Sequence, residues 1–144
     1  MQTMTNLYTY GERELLVIDD EPGMIRVVKD RILTKDFERK HSAANFEEGK
    51  EAIEKLTTPQ SIIFSDFHLP GGVGLDLAKI SHSTRKRLQI GMFIMSGGAA
   101  GKEMDMIEQA IQEGVIEGYL SKPFPPSQVK EVIKQFYQKI GVEL

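Results

Sequence analysis

The segment LLVIDDE (residues 15–21) is the most informative stretch of the sequence, because four consecutive apolar residues are followed directly by three acids. A near-continuous apolar run of this length is typical of a β-strand that is covered by other elements on both faces. Three further runs have the same design: SIIF (61–64) lies just before Asp66, IGMFIM (90–95) before Ser96, and Tyr119–Leu120 before Lys122. These segments therefore predict buried strands whose carboxyl ends carry polar side chains.

Apolar residues at helical spacing separate the strand-like runs. Five groups share this spacing: Ile25, Val28 and Ile32; Ala52, Ile53 and Leu56; Leu75, Leu77, Ala78 and Ile80; Met106, Ile107, Ala110 and Ile111; and Val129, Val132, Ile133, Phe136 and Ile140. We expect an Asn45 cap with Glu48 before the second helix, a short third helix, and Pro126 in the first turn of the last. A strand at residues 37–43 is assigned only because alternation requires one. The pattern predicts an α/β, doubly wound, five-stranded parallel sheet with helices on both faces.

Length and composition limit both the architecture and the class of partner. The 144 residues match one compact domain, which we place at residues 14–144 after a polar N-terminal arm at residues 1–13. The net charge of −3 argues against nucleic acid or an anionic membrane as the main partner, and no apolar run approaches the roughly 20 residues of a membrane span. The absence of cysteine excludes disulfides and is compatible with the cytoplasmic location that we expect.

Polar groups at the ends of the predicted strands converge on one edge of the sheet, where open α/β folds bind ligands. They are the carboxylates of Asp19, Asp20 and Asp66, the hydroxyl of Ser96 and the ammonium of Lys122. Two carboxylates about 4 Å apart repel by roughly 4 kcal/mol at an effective dielectric of about 20, and a cation relieves this repulsion. Oxygen ligands suit Mg²⁺, and an aspartate can attack a phosphoryl group to give an aspartyl phosphate. Each feature alone is more often a turn, a helix cap or a surface group, so the prediction depends on their joint occurrence.

Three segments, taken in order, resemble a response regulator receiver domain over roughly residues 14–140. They are LVIDDEP (16–22), DFHLPGGVGL (66–75) and GYLSKPF (118–124). The resemblance implies a flavodoxin-like fold, a cis peptide bond before Pro123, and a loop after Ser96 that is longer than is usual in the family. It also implies these roles: Asp66 as phosphoacceptor, Asp20 and Asp66 as direct Mg²⁺ ligands, Asp19 as a ligand largely through water, the backbone carbonyl of His68 as a further ligand, Ser96 as the phosphate-binding hydroxyl, Lys122 as the bridge between carboxylate and phosphate, and Tyr119 as the aromatic switch residue.

The resemblance implies a signalling switch rather than an enzyme. A histidine kinase or a phosphotransfer protein would donate the phosphoryl group, and a downstream protein would bind at the last helix and last strand. Nucleic acid and membrane are not expected as partners, and a phosphorylation-dependent homodimer stays open.

Two alternative functions fit the sequence less well. A phosphatase of the haloacid dehalogenase type has a second Asp two residues after its nucleophile, whereas His68 and Glu21 stand at the corresponding positions here. A receiver that serves only as a docking surface usually loses acidic residues of the pocket, which this chain keeps. Whether the chain is part of a larger regulator is left open.

Overall fold

A five-stranded parallel sheet forms the centre of the molecule in the computed structural model, which describes residues 12–32, 37 and 39–142. Its strands are β1 (Glu14–Ile18), β2 (Arg39–Ala43), β3 (Ile62–Asp66), β6 (Gly91–Ser96) and β7 (Gly118–Ser121). Two short strands, β4 (His68–Leu69) and β5 (Gly72–Val73), pair antiparallel outside this sheet. The order β2-β1-β3-β6-β7 places the second strand on one side of β1 and the remaining strands on the other. This is the flavodoxin-like order, which confirms the predicted fold.

Helices connect the parallel strands. They are α1 (Pro22–Arg26), which continues as a π-helical segment (Val27–Ile32), α2 (Phe46–Glu54), α3 (Gly74–Leu88), α4 (Lys102–Gln112) and α5 (Pro126–Lys139). Among the described residues, no helix is both long and apolar enough to span a bilayer.

The helices cover both faces of the sheet and create two cores. Leu16 and Ile18 point into the core that contains apolar residues of α2, α3 and α4. Leu15 and Val17 point into the other core, which contains apolar residues of α5 and the π-helical segment. Successive side chains of a strand face opposite sides, so a strand covered on both faces must be apolar throughout. This explains the uninterrupted apolar run that opens the sequence pattern.

Two helices differ from their predictions in length or in the residues that they bury. The helix α3 has 15 residues instead of being short, and Ile80 on it is exposed. Met106 and Ile111 of α4 are also exposed. Three or four adjacent apolar residues do not reveal which of them faces the sheet, because that depends on how the helix is rotated against it. The change from α to π geometry after Arg26 was not predicted, since spacing over two turns does not distinguish the two forms.

Local signals for the start of elements are confirmed. Oδ1 of Asn45 accepts a hydrogen bond from the backbone N of Glu48 at 2.8 Å, and the carboxylate of Glu48 accepts one from the backbone N of Ala44 at 3.0 Å. These hydrogen bonds begin α2 much as a capping box does, except that Glu48 accepts from the residue before the cap residue Asn45. Pro126 is the first residue of α5. The strand that only alternation supported is β2, which pairs in register with β1 along its whole length.

The predicted N-terminal arm at residues 1–13 lies almost entirely outside the described residues. Its last residue, Arg13, is buried, and its guanidinium carbon lies 4.7 Å from the centroid of the Tyr137 ring. The same guanidinium donates a hydrogen bond to the side chain of Gln60 at 3.1 Å. Arg13 therefore packs against the folded domain at the end of the sheet opposite the acidic residues.

Candidate functional site

The carboxyl ends of β1 and β3 bring Asp19, Asp20 and Asp66 together. Asp19 and Asp20 follow β1 directly, and Asp66 is the last residue of β3, its neighbour in the sheet. Oxygen atoms of the three carboxylates all lie within 4.8 Å of one another. The strand order reverses between β1 and β3, so the cluster occupies the position where open α/β sheets bind ligands. The predicted convergence of these acids is therefore present in the fold.

The three acids differ in their exposure to solvent. Asp19 is buried, Asp66 is half-buried and Asp20 is exposed. Each of the three side chains offers carboxylate oxygens, and the cluster is exposed to solvent at Asp20. Mg²⁺ binds one or two carboxylates and keeps several of its waters, so its site needs carboxylate oxygens together with access to solvent. The residues present fit a divalent cation of this class.

Lys122, which follows β7, places its ammonium group among the acids. Its Nζ lies 2.7 Å from Oδ2 of Asp19, 3.3 Å from Oδ1 of Asp66 and 3.5 Å from Oε1 of Glu21. Burial lowers the pKa of Lys122, but the hydrogen bonds and charges of Asp19 and Asp66 outweigh burial, so the pKa lies above its ordinary value. Lys122 is therefore held in its charged form. The peptide bond between Lys122 and Pro123 is cis, as the resemblance implied.

Asp66 lies in surroundings that disfavour its charge. Burial raises the pKa of Asp66, the charge of Lys122 lowers it and the charge of Asp19 raises it, with a raised pKa as the net result. Its Oδ1 accepts a hydrogen bond from the backbone N of Phe67 at 3.0 Å. An additional positive charge beside Asp66 would favour the ionised form, in which the carboxylate is a nucleophile.

Gly74 supports Asp66, although the sequence analysis did not single it out. It approaches the backbone carbonyl of Asp66 so closely that an added Cβ would overlap with that oxygen. The backbone N of Gly74 donates to the carbonyl of Phe67 at 2.8 Å, and Oγ of Ser65 donates to the carbonyl of Asp66 at 3.0 Å. The start of α3 thus packs directly on the backbone at the end of β3. A glycine inside the first turn of a helix, where its propensity is poor, is the sequence signal that points to such a contact.

The two expected switch residues, Ser96 and Tyr119, lie on adjacent strands. Ser96 ends β6 beside β3 and is buried, and its Oγ accepts a hydrogen bond from the backbone N of Gly98 at 3.4 Å. Its carbonyl accepts a hydrogen bond from the backbone N of Lys122 at 2.8 Å. Tyr119 is half-buried opposite Ile94 and packs against the core that contains α4. The sheet therefore places a hydroxyl next to the acidic edge and an aromatic ring on the following strand.

His68 lies in β4, two residues after Asp66. Its ring is exposed, and Nε2 lies 2.9 Å from Oε2 of Glu103 in the first turn of α4. Only the backbone of His68 is therefore a candidate ligand in the site. The contact with Glu103 was not predicted, because it joins residues 35 positions apart that only the fold brings together.

Comparisons with known proteins point to one family. The family model described as the response regulator receiver domain matches residues 15–134. The chemotaxis protein CheY1 of Helicobacter pylori is 34% identical over 125 residues, which cover 84% of this chain and 94% of that protein. The transcriptional regulatory protein DcuR of Escherichia coli is 28% identical over 127 residues, which cover 87% of this chain and 50% of that protein. The crystal structure of a response regulator receiver domain protein from Clostridium thermocellum has a TM-score of 0.70 at 21% identity, with 90% of this chain and 98% of that chain covered. The chain therefore belongs to the family of response regulator receiver domains.

Proposed function

We propose that this receiver domain is a phosphorylation-controlled switch that accepts a phosphoryl group on Asp66 from a histidine kinase or a phosphotransfer protein. The observation that carries the proposal is the position of Asp66 within 4.8 Å of two further carboxylates and 3.3 Å from the ammonium of Lys122. A nucleophilic carboxylate, oxygen donors for a cation and a fixed positive charge are the groups that phosphoryl transfer to aspartate requires.

Asp20, Asp66 and the backbone carbonyl of His68 would hold Mg²⁺ directly, and Asp19 would hold it largely through water. When bound, Mg²⁺ supplies positive charge that offsets the charges of the acids and of the phosphoryl oxygens. The exposed side of the cluster at Asp20 leaves a path for a cation and a phosphodonor.

The side chains of the protein have separate tasks in the transfer. A carboxylate oxygen of Asp66 forms the new bond to phosphorus while the bond between phosphorus and the donor nitrogen breaks. Lys122, held charged by Asp19 and Asp66, stabilises the negative charge on the phosphoryl oxygens. The hydroxyl of Ser96, at the end of the neighbouring strand, donates a hydrogen bond to one of these oxygens.

Intact mass spectrometry after treatment with acetyl phosphate and MgCl₂ tests the proposal. We expect one added phosphoryl group on the wild type and none on Asp66→Asn or in excess EDTA. Asp76→Asn is a matched control, because Asp76 is an exposed carboxylate in the first turn of α3, and it should behave as the wild type does. Phosphorylation that persists in Asp66→Asn would contradict the assignment.

We further propose that the domain turns over no external substrate and acts only on its own phosphorylation state. Incubation with p-nitrophenyl phosphate distinguishes this from a phosphatase, since a switch releases one equivalent of p-nitrophenol as Asp66 is phosphorylated and then only as much as the loss of phosphate from its own Asp66 allows. Rapid release of many equivalents that depends on Asp66 would instead support a hydrolytic enzyme.

The proposed output surface consists of β7 and α5 around Tyr119, where a downstream protein would bind. Light scattering with and without beryllofluoride separates a phosphorylation-dependent homodimer from a monomer that binds another protein. The net charge of −3 supports a protein partner rather than DNA. A gel shift on a defined DNA sequence that persists at physiological salt would contradict this part of the proposal.

A further inference from the structure

The short antiparallel pair that follows Asp66 fixes the backbone of His68. We call residues 68–73 the acceptor hairpin, in which His68 lies opposite Val73 and Leu69 lies opposite Gly72. A hydrogen bond of 2.8 Å from the backbone N of Gly74 to the carbonyl of Phe67 closes its base. Two pairs of residues are too few to make a stable ladder alone, so the hairpin needs packing from elsewhere in the molecule to stay in a fixed position.

Phe46, the first residue of α2, supplies such packing. Its backbone N donates to the carbonyl of Pro70 in the turn of the acceptor hairpin at 2.9 Å. Its ring lies flush against Gly72, where an added Cβ would be 2.8 Å from both Cγ and Cε2 of Phe46 and closer still to Cδ2. Only a residue without a side chain permits this approach, so Phe46 and Gly72 form a matched pair.

The helix that carries Phe46 is itself firmly placed. The hydrogen bonds of Asn45 and Glu48 fix the first turn of α2. One turn further along, Gly49 brings the helix close to the core, where an added Cβ would lie 3.1 Å from Ile18 and 3.1 Å from Leu77. Ile18 is the last residue of β1, directly before Asp19. The same short helix therefore contacts both the strand that carries two of the acids and the hairpin that follows the third.

We propose that Phe46 is a positioning residue for the cation site, which by packing on Gly72 holds the acceptor hairpin and the backbone carbonyl of His68 in a fixed place relative to Asp66. This inference depends on the proposed function, since it assumes that the acid cluster and His68 hold Mg²⁺. Phe46 offers no ligand atom, so its effect on the cation passes through the hairpin backbone. Residues that orient ligands without touching the metal commonly change its affinity by 10–100-fold when they are replaced.

A titration with MgCl₂, followed by the amide NMR signals of residues 66–74, tests the role of Phe46. We expect Phe46→Ala to raise the Kd for Mg²⁺ about 10-fold, and Phe46→Leu, which keeps an apolar side chain on Gly72, to raise it about threefold. Leu88→Ala is the matched control for lost stability. Leu88, like Phe46, is a half-buried residue that packs against the core containing α2, α3 and α4. It is the last residue of α3, whereas the acceptor hairpin lies just before the first, and its carbonyl accepts a hydrogen bond from the backbone N of Gln60. The Kd of Leu88→Ala for Mg²⁺ should equal that of the wild type.

The glycine partner provides a second, reciprocal test. Gly72→Ala places a methyl group against the ring of Phe46 and should weaken Mg²⁺ binding on its own. The double variant Gly72→Ala with Phe46→Ala removes all three overlapping ring atoms and should bind Mg²⁺ more tightly than Gly72→Ala alone. If the two single variants acted only by lowering general stability, their effects would add. The double variant would then bind Mg²⁺ more weakly than either single variant.

The outcomes separate this inference from the proposed function. A wild type that does not bind Mg²⁺ overturns the proposed function, and this inference falls with it. A wild type that binds Mg²⁺, together with a folded Phe46→Ala whose Kd lies within twofold of it, overturns only the role of Phe46. An equal rise of the Kd in Leu88→Ala would likewise overturn that role and leave the proposed function standing.

Discussion

Burial and the nearby negative charge of Asp19 both disfavour the ionised form of Asp66, and the ammonium of Lys122 offsets only part of this effect. The pKa of Asp66 and the pKa of Lys122 are both raised, and the negative charge of neighbouring carboxylates contributes to each shift. A site arranged for a ligand is commonly strained when the ligand is absent, because its charges are placed for the bound state. Asp66 is therefore expected to affect stability and function in opposite directions.

Replacing Asp66 by Asn should stabilise the folded chain in EDTA. The folded-state pKa of Asp66 is raised, so the stability that this group contributes is fully present below the ordinary value of 3.8 and is lost as the pH rises through the folded pKa. We expect Asp66→Asn to gain about 1 kcal/mol in the free energy of unfolding at pH 7, which is about 3 °C in melting temperature for a domain of this size. The gain should shrink near pH 4. Asp76→Asn should show none, and a lower melting temperature for Asp66→Asn at pH 7 would contradict the argument.

Replacing Lys122 by Gln should destabilise the chain in EDTA, because three carboxylates then lose their shared counter-charge. The Lys122 side chain is only 11% exposed, so we expect a loss of about 2 kcal/mol, between the values of surface and fully buried pairs. Added Mg²⁺ should restore part of the loss by supplying positive charge. Lys139→Gln, which removes an exposed contact of 3.4 Å with Glu117, is the control and should cost less than about 1 kcal/mol. Equal losses in the two variants, measured by urea unfolding, would argue against a special role for Lys122.

The segment between β6 and α4 is the loop that the resemblance predicts to be longer than is usual in the family. It consists of residues 97–101, with glycine at positions 97, 98 and 101. An added Cβ at Gly97 or Gly98 would have no atom within 4 Å, whereas Gly101 has a φ of +56° that side chains rarely adopt. Glycines in open space make a segment costly to order, because they lose the most backbone entropy on ordering. The segment follows Ser96 directly, so any movement of Ser96 on binding phosphate acts on the segment.

We predict that residues 97–104 exchange their amide hydrogens rapidly in the resting chain and become protected when beryllofluoride and Mg²⁺ engage Ser96. Gly98→Ala should reduce the difference between the two states, because alanine fits at this position and lowers the entropy that ordering must overcome. Hydrogen exchange followed by mass spectrometry measures both effects, with peptides from β1 as the internal reference. Equal protection in the two states at confirmed site occupancy would remove the segment from the switch.

At the scale of the whole molecule, the site joins strand ends that are far apart in the sequence. Asp19 and Lys122 are 103 positions apart, yet their side chains are 2.7 Å apart. Such a site exists only in the folded chain, so a ligand of the site stabilises the entire fold by mass action. Cation binding and global stability should therefore be linked.

Mg²⁺ should raise the melting temperature of the wild type, and EDTA should reverse the change. At a concentration of ten times the Kd the expected gain is about 1.4 kcal/mol. Asp20→Ala should lose most of this gain, since Asp20 is the exposed member of the cluster and its removal takes away a proposed direct ligand. Differential scanning calorimetry at increasing MgCl₂ measures the effect, with Glu54→Ala in α2 as a control for an ordinary carboxylate. An unchanged melting temperature in the wild type at millimolar Mg²⁺ would contradict the cation site.

The order and kind of the main elements, and the polar residues at the strand ends, could be predicted from the sequence. Apolar runs and helical spacing predicted the doubly wound sheet, and the acids, Ser96 and Lys122 were identified from their places directly after the strands. These predictions succeed because covering both faces of a sheet imposes a strong local pattern, and because parallel strands all end at one edge.

The contacts between side chains became known from the three-dimensional fold alone. It showed that Lys122 contacts Asp19 as well as Asp66, that His68 turns its ring to Glu103, and that Phe46 packs on Gly72. It also corrected the extent of α3 and the burial of Ile80. The physical reason is that these features depend on helix rotation and on contacts between residues distant in the chain, and neither leaves a periodic signal in the sequence.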